Sequence, residues 1–311
     1  MDASTPQLTV TVPSPEALED LGELPAGVEA IVWTMEDPAP RARIDIVVVP
    51  YMSGASRFAR LEGVETGILQ GQSIGYDGVA DRLPAGRVFA NASSVHETAT
   101  SELAVTLTLA AQRHLPEFVR AQDDGAWRPE WSPGLADRRV LLLGYGGVGK
   151  AVAERLAPFE IELVRVASRA RDEDGVHVHG VDELADLLPH ADIVILTLPG
   201  GDSTRHIIDD AALSALPDGA LIVNVGRGSL IDPDALAAHA GRGRIRAALD
   251  VTEPEPLPAG HPLWETPGIL VVPHVGGLSA AMRPRIARLV RRQIDRMLRS
   301  EPPLNVVIDG S

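Results

Sequence analysis

The stretch Val140-Leu141-Leu142-Leu143-Gly144-Tyr145-Gly146-Gly147-Val148-Gly149 is the strongest structural signal in this chain. Its apolar start predicts a buried strand, and residues 150–156 (KAVAERL) follow with the pattern of a helix. A strand, a G-x-G-x-x-G turn and a helix form the fingerprint of a dinucleotide-binding unit. The glycines permit a tight turn and let the backbone approach a pyrophosphate at the helix N-terminus. The predicted contacts of this turn with the dinucleotide are Gly144, Gly146, Gly147, Val148 and Gly149.

A second motif overlaps the first. Gly144, Gly149 and Lys150 also fit G-x-x-x-x-G-K, the start of the phosphate-binding loop of nucleotide hydrolases. That loop requires Ser or Thr at the next position, because its hydroxyl binds magnesium. Position 151 is alanine, so the hydrolase interpretation fails.

The composition indicates a globular chain without disulfides. Its 311 residues are 45% hydrophobic and include no cysteine, which excludes thiolate metal sites and cysteine nucleophiles. We expect a cytoplasmic protein, because residues 1–5 (MDAST) do not resemble a signal peptide and no apolar run is long enough to span a membrane. The net charge of −15 argues against a nucleic-acid partner. The arginines of residues 283–299 fit the solvated face of an amphipathic helix.

The order of apolar runs predicts an α/β fold with two doubly wound parallel sheets. From residue 139 onward, short apolar runs alternate with helical segments, which is typical of a Rossmann domain. The first 95 residues repeat this pattern less regularly, and a long helix is predicted over residues 95–121. The extended C-terminal end can pack back on the first part. We therefore predict a NAD(P)-binding Rossmann domain at 96–279, inserted into a smaller flavodoxin-like substrate domain at 1–95 and 280–311.

Polar residues follow several of these predicted strands. Ligands of open parallel sheets bind beyond the carboxyl ends of the strands, so these residues are predicted to share one site. They include Arg227, Asp250 and His274, and the proline-rich loop after Asp250 adds Glu253 and Glu255. Each alone is more simply explained as a surface charge or a structural residue. Together they fit hydride transfer to a 2-oxo acid: arginine binds the carboxylate and polarises the carbonyl, histidine donates a proton, and a carboxylate stabilises the imidazolium.

The ordered motifs Asn224–Gly228 (NVGRG), 248–256 (ALDVTEPEP), 261–264 (HPLW) and 273–277 (PHVGG) resemble those of the D-isomer-specific 2-hydroxyacid dehydrogenases. This family includes phosphoglycerate dehydrogenase and glyoxylate/hydroxypyruvate reductase. The resemblance implies catalysis by Arg227, Glu255 and His274. Glu255 is preferred to Glu253 because the family's glutamate lies five residues after the aspartate that matches Asp250. The resemblance also implies a homodimer. The further cofactor contacts that it implies are Leu198, Pro199, Thr204, Val225, Gly226, Asp250, His274 and Gly276.

The front of the chain carries a second part of the resemblance. Residues 70–79 (QGQSIGYDGV) are similar to the family's substrate loop, which implies that the backbone N–H groups of Ile74 and Gly75 bind the substrate carboxylate. Tyr51 follows an apolar run and is either a pocket residue or a packing residue.

The predicted second strand of the Rossmann unit ends without the acidic residue that accepts the ribose 2′-hydroxyl of NAD. Ser168 and Arg169 stand there instead, and a hydroxyl and a guanidinium suit a 2′-phosphate. We therefore predict NADP(H) as the preferred cofactor, with NAD(H) possible, and no metal site.

Two other functions remain open. One is a phosphoglycerate dehydrogenase-type enzyme. The other is a cofactor-sensing scaffold, because corepressors share this fold. Formate dehydrogenase is disfavoured, since its histidine pairs with Gln instead of Glu.

Overall fold

The computed structural model describes residues 7–53 and 55–310. Its strands, in chain order, are β1 (Leu8–Val12), β2 (Val28–Val32), β3 (Arg43–Val48), β4 (Glu65–Gln70), β5 (Phe89–Ala90), β6 (Arg138–Leu143), β7 (Ile161–Ala167), β8 (Arg171–Glu173), β9 (Val176–Gly180), β10 (Ile193–Leu196), β11 (Ala220–Asn224), β12 (Ile245–Leu249), β13 (Ile269–Val271) and β14 (Val306–Ile308). Its α-helices are α1 (Pro15–Leu21), α2 (Glu97–Gln112), α3 (Leu115–Asp123), α4 (Gly147–Leu156), α5 (Leu184–Leu187), α6 (Asp210–Ala215), α7 (Pro233–Gly241) and α8 (Met282–Leu298). Short 3₁₀ turns cover Ala55–Leu61, Val181–Glu183, Leu188–His190, Gly228–Leu230 and Pro262–Trp264.

The chain divides into two compact units. The first unit runs up to His96 and resumes at Ser279, and the second unit is Glu97–Leu278. Each unit contains one sheet with its own apolar core. The predicted α/β class with two doubly wound sheets is confirmed.

The first unit has the sheet order β14-β5-β4-β3-β1-β2. Its strands are parallel except at one edge, where β14 pairs antiparallel with β5. Helix α8 buries one face in this unit's core, including Ile286, Leu289 and Ile294. Several of its arginines are held by partners on the same unit; for example, Arg283 binds Asp20 at 2.8 Å.

The second unit has the sheet order β13-β12-β11-β10-β6-β7-β9-β8. Every residue of β10 and β11 is buried, because helices cover both faces of a parallel sheet. The strands are parallel except for the β8–β9 hairpin at the edge. All the parallel strands therefore point their carboxyl ends to one edge, which carries the candidate site.

Two local predictions differ from the structure. The helix predicted over residues 95–121 is interrupted: His114 adopts φ +53°, and α3 begins at Leu115 with Pro116 in its first turn, where a missing N–H costs nothing. The β8–β9 hairpin was not predicted. Its turn residues Asp174 and Gly175 have φ +51° and +78°, as expected for an Asp-Gly hairpin turn, and this dipeptide was the available signal.

Candidate active site

The glycine-rich turn between β6 and α4 has no room for side chains at two of its positions. A Cβ at Gly144, where φ is +110°, would lie 2.6 Å from Thr197 Oγ1. A Cβ at Gly149 would lie 2.0 Å from the backbone oxygen of Gly144. Gly146 is different, because a Cβ there would meet no atom within 4 Å. The crowded positions fix the turn, and the open one leaves space for a ligand beside it.

Helix α4 begins directly in this turn, at Gly147. Its N-cap residue, Gly146, offers no side-chain hydrogen bond, and the first turn contains no acidic residue. The leading N–H groups of such a helix lack partners within the helix and carry positive partial charge. These features suit the pyrophosphate of a dinucleotide, and the individual contacts assigned to the glycines stay predictions.

The end of β7 carries the residues predicted to select the cofactor. Ser168 and Arg169 follow Ala167, and both are exposed. Nearby charges are already paired: Lys150 and Arg171 both bind Glu173, Arg171 through Nη2 at 2.8 Å. These pairs lower the pKa of the Glu173 carboxyl, mainly through the hydrogen bond with Lys150. Lys150 is thus bound to a carboxylate.

The turn after β11 holds Arg227 through a buried asparagine. Asn224 is fully buried; its Oδ1 accepts a hydrogen bond from Gly226 N at 3.0 Å, and its Nδ2 donates to Arg227 O at 2.8 Å. The Arg227 guanidinium donates back to Gly226 O at 2.7 Å. These three hydrogen bonds fix the backbone of Gly226 and Arg227. Asn224 stands in the quoted motif, but the sequence alone does not indicate its role.

Asp250 connects the end of β12 to the segment that carries His274. Its carboxylate is buried and accepts hydrogen bonds from Val275 N at 2.6 Å and Gly276 N at 3.0 Å, while its backbone oxygen accepts one from His274 N at 2.8 Å. Burial raises the pKa of the Asp250 carboxyl, and the two amide donors oppose this shift. A Cβ at Gly276 would lie 2.7 Å from Asp250 Oδ2, so the pair requires glycine there.

His274 and Glu255 are in direct contact. The Glu255 carboxylate shares a hydrogen bond with His274 Nδ1, and the side chains of His274 and Glu255 are 36% and 38% exposed. This hydrogen bond is the main cause that raises the pKa of His274, while burial opposes it. The pair can therefore hold a proton on the imidazole at a higher pH than a free histidine.

The other glutamate of the loop, Glu253, has different partners. It binds Arg205 Nη1 at 2.7 Å and His206 Nε2 at 3.2 Å, and the hydrogen bond from Arg205 is the main cause that lowers its pKa. Of the two glutamates, the structure thus brings Glu255 to His274. Arg205 and His206 are further residues that sequence analysis did not identify, since no motif includes them.

The remaining predicted cofactor contacts lie in the second unit. The Thr204 hydroxyl donates to Pro199 O at 2.9 Å, which closes the loop after β10 that also includes Leu198. Val225 and Gly226 are buried in the turn that precedes Arg227. These residues follow β10 and β11 at the same edge as the glycine-rich turn.

The predicted substrate residues Tyr51, Ile74 and Gly75 belong to the first unit. Tyr51 stacks on His96 with ring centroids 5.9 Å apart. Ile74 O accepts a hydrogen bond from Asn91 Nδ2 at 2.7 Å, which fixes the loop that carries Ile74 and Gly75.

Among the residues that the structure describes, none lies in a helix long and apolar enough to cross a membrane.

Comparison with known families identifies the chain. A model for the D-isomer specific 2-hydroxyacid dehydrogenase, NAD binding domain, matches residues 105–276, which is more than half of the sequence. The chain belongs to this family. The glyoxylate reductase/hydroxypyruvate reductase of Mus musculus is 28% identical over 295 residues, which cover 89% of this chain and 90% of that protein.

Solved structures agree with this assignment. A D-isomer specific 2-hydroxyacid dehydrogenase from Xanthobacter autotrophicus, in complex with NADPH and MES, is 27% identical with a TM-score of 0.81, covering 98% of this chain and 99% of that one. The NADPH-dependent glyoxylate/hydroxypyruvate reductase from Sinorhizobium meliloti, in complex with NADP and sulfate, is 26% identical with a TM-score of 0.82, covering 98% and 100%. The predicted family, Rossmann fold and nicotinamide-dependent oxidoreductase class are confirmed.

Proposed function

We propose that this enzyme reduces a small 2-oxo acid of the glyoxylate or hydroxypyruvate type to the D-2-hydroxy acid, with NADPH as the preferred cofactor. The contact between Glu255 and His274 is the observation that carries the proposal, because it provides a proton donor of raised pKa. The names of the mouse and Sinorhizobium relatives support the substrate class, and the NADP and NADPH complexes support the cofactor.

The residues of the second unit have distinct roles in this reaction. When bound, the reduced nicotinamide supplies a hydride to C2 of the substrate. Arg227 binds the carboxylate and polarises the carbonyl through its several N–H donors. Protonated His274 gives a proton to the oxygen as negative charge develops there, and Glu255 stabilises the imidazolium before the transfer. In the reverse direction, neutral His274 accepts the hydroxyl proton.

The proposed contacts with the cofactor are also made by residues of the second unit. The N-terminus of α4 holds the pyrophosphate, and Asp250, buried behind His274, positions the segment at the nicotinamide end. Ser168 and Arg169 are proposed to bind the 2′-phosphate, since both are exposed at the end of β7. On this basis the second unit is the cofactor domain and the first unit is the substrate domain. The roles that the resemblance gives to Tyr51, Ile74 and Gly75 stay predictions.

We also propose that the protein is a homodimer that associates through an apolar surface of the second unit. Trp127 and Trp131 are 97% and 99% exposed, and Leu115 and Val119 on α3 are 50% and 58% exposed. Exposed apolar surface of this kind marks sites of protein association, and tryptophan is enriched in such sites. The cytoplasmic location stays a prediction.

A panel of 2-oxo acids tests the proposed activity. NADPH oxidation is followed by absorbance with glyoxylate, hydroxypyruvate and larger 2-oxo acids, and the same panel is run with NADH. We expect turnover with at least one small 2-oxo acid, and in His274→Ala a severe loss of turnover while NADPH still binds. Absence of turnover with every substrate, together with tight NADPH binding, would instead favour the cofactor-sensing scaffold.

A further inference from the structure

A group of histidine and carboxylate side chains lies on the β8–β9 hairpin and the turn that follows it, apart from the candidate catalytic residues. Strand β9 reads Val176-His177-Val178-His179-Gly180, and Val178 is fully buried. Because side chains alternate along a strand, His177 and His179 lie together on the opposite face. Their rings are 4.6 Å apart between centroids and nearly perpendicular, at 89°.

Two carboxylates stand beside these imidazoles. Glu183 ends the 3₁₀ turn that follows β9; its Oε1 accepts a hydrogen bond from Gly180 N at 2.8 Å, and its Oε2 lies 2.8 Å from His179 Nδ1. Asp172 is the register partner of His177 on β8, and its Oδ1 lies 2.9 Å from His177 Nδ1. The backbone of the hairpin and its following turn therefore holds all four side chains in place.

We propose that His177, His179 and Glu183 form a binding site for a divalent transition-metal ion, with Zn²⁺ as the best match. One potential ligand atom from each of the three lies within 4.8 Å of the other two. Zinc bonds to imidazole nitrogen and carboxylate oxygen at about 2.0–2.2 Å, which puts tetrahedral ligand atoms roughly 3.3 Å apart. His179 Nδ1 and Glu183 Oε2 are already 2.8 Å apart, and an ion bound between them would replace the proton that they share.

The donor set determines the class of metal. Two imidazoles and a carboxylate suit Zn²⁺, Ni²⁺ and Cu²⁺, whereas Mg²⁺ and Ca²⁺ prefer sites made of oxygen atoms. Asp172 accepts a hydrogen bond from a protonated Nδ1 of His177, which leaves Nε2 free as the metal-binding atom. Such a carboxylate contact is the usual second partner of a histidine that binds zinc.

A purely ionic explanation accounts for each histidine–carboxylate contact separately. Exposed ion pairs contribute only about 0–1 kcal/mol to stability. They also do not require two imidazoles on the same face of the strand, with potential ligand atoms close to one another. Convergence of three potential ligands from one short segment is what a metal site requires. Sequence analysis predicted no metal site; the His-x-His spacing followed by Glu183 was the available signal.

An ion bound at His177, His179 and Glu183 would stabilise the edge of the sheet. Strand β9 pairs with β7 up to Gly180 and Ala167, and Ala167 immediately precedes Ser168. A bound ion would link β9 to the turn that follows it, and so fix the edge of the sheet beside the end of β7. The ion is not required for the proposed hydride transfer, because none of its ligands belongs to the candidate catalytic set.

Titration of the full-length protein with metal tests the site. After removal of metals with a chelator, Zn²⁺ and Mg²⁺ are added separately in a calorimeter at pH 7.5, and thermal unfolding is recorded with and without Zn²⁺. We expect one Zn²⁺ per chain, a raised Tm with Zn²⁺, and no comparable binding of Mg²⁺. In His179→Ala and Glu183→Gln we expect Zn²⁺ affinity to fall at least about a hundredfold, and in Asp172→Asn about tenfold.

Matched variants separate this site from other zinc-binding groups. His190→Ala removes an exposed histidine outside the group and is expected to bind Zn²⁺ normally. Glu183→Gln keeps an oxygen that can accept the Gly180 N–H bond, so it preserves the turn while it removes the charge. Spectra of the Co²⁺ form are expected to show intense visible bands in the wild type that are lost in His177→Ala. Absence of saturable Zn²⁺ binding overturns the proposal, as does binding that survives in His177→Ala/His179→Ala but is lost in His274→Ala.

Discussion

Replacement of Gly228 by alanine tests whether the loop that carries Glu255 must be held within an ångström of its position. A Cβ at Gly228 would lie 1.9 Å from Thr252 O, 2.1 Å from Thr252 C and 2.7 Å from Glu253 N. All three are backbone atoms, so no side chain can rotate away. The φ angle of Gly228 lies outside the left-handed region, so alanine adds a clash without backbone strain.

The size of the effect follows from these distances. The contact with Thr252 O must lengthen by at least about 1.1 Å to reach 3.0 Å, below which a Cβ is essentially never found. The loop cannot move freely, because Glu253 is bound to Arg205 and His206 on its other side. A misplacement of about 1 Å in catalytic groups costs about a hundredfold in rate, or about 2.7 kcal/mol in the activation barrier. We therefore expect kcat/KM for the 2-oxo acid to fall about a hundredfold in Gly228→Ala.

Steady-state kinetics and NADPH binding together test this prediction. We expect the NADPH Kd to change little, because Gly228 is not among the predicted cofactor contacts. Gly241→Ala is the matched control: a Cβ there meets no atom within 4 Å and φ is not left-handed, so activity and Tm should be unchanged or slightly improved. A Gly228→Ala protein with kcat/KM within threefold of the wild type and an unaltered Tm would refute the steric reasoning.

Three further predictions concern proton transfer, cofactor choice and assembly. In Glu255→Gln the main cause that raises the pKa of His274 is lost. If protonated His274 is the donor in reduction, as proposed, kcat/KM is level at pH values below the pKa of His274 and falls above it. In the variant we expect this fall to occur at a lower pH; an unchanged pH profile contradicts the pairing. In Arg169→Ala we expect KM for NADPH to rise about ten- to a hundredfold, which corresponds to the loss of one hydrogen bond to a charged group, while KM for NADH changes little. Equal changes in KM for both cofactors contradict contact with the 2′-phosphate. In Trp127→Ala/Trp131→Ala we expect light scattering to show monomers at concentrations where the wild type is dimeric; a persistent dimer places the interface elsewhere.

Much of the fold was predictable because buried parallel strands have a simple signature. The runs that became β6, β10 and β11 are continuous and apolar, and a chain segment covered on both faces must be so. The break at His114 was missed because apolar spacing continues through it, although Pro116 marks a helix start. The β8–β9 hairpin was missed because its strands are short and mostly polar, so only the Asp174-Gly175 turn distinguishes them from a loop.

The candidate site was predictable to the level of residue types at strand ends, but not to the level of contacts. Arg227, Asp250 and His274 follow strands whose common direction brings them to one edge. The contacts around them are a different matter: the buried Asn224 amide binds Arg227 O three residues along the chain, and Arg205 binds Glu253 across 48 residues. Such pairs depend on the packed turn geometry, and a single sequence carries no periodic pattern that identifies them.

The two glutamates of the loop illustrate why the contacts matter for the chemistry. Glu253 and Glu255 are each followed by proline, and in the sequence only their spacing from Asp250 distinguishes them. The charge on Glu253 is already balanced by Arg205, which lowers its pKa, so this carboxylate would do little to stabilise a proton on a nearby imidazole. Glu255 makes its hydrogen bond to His274 instead, and there it raises the pKa of the proposed proton donor. Arg205 thus anchors the loop through one glutamate while the other remains available to the candidate catalytic histidine, so that anchoring and the proposed proton transfer are assigned to separate carboxylates.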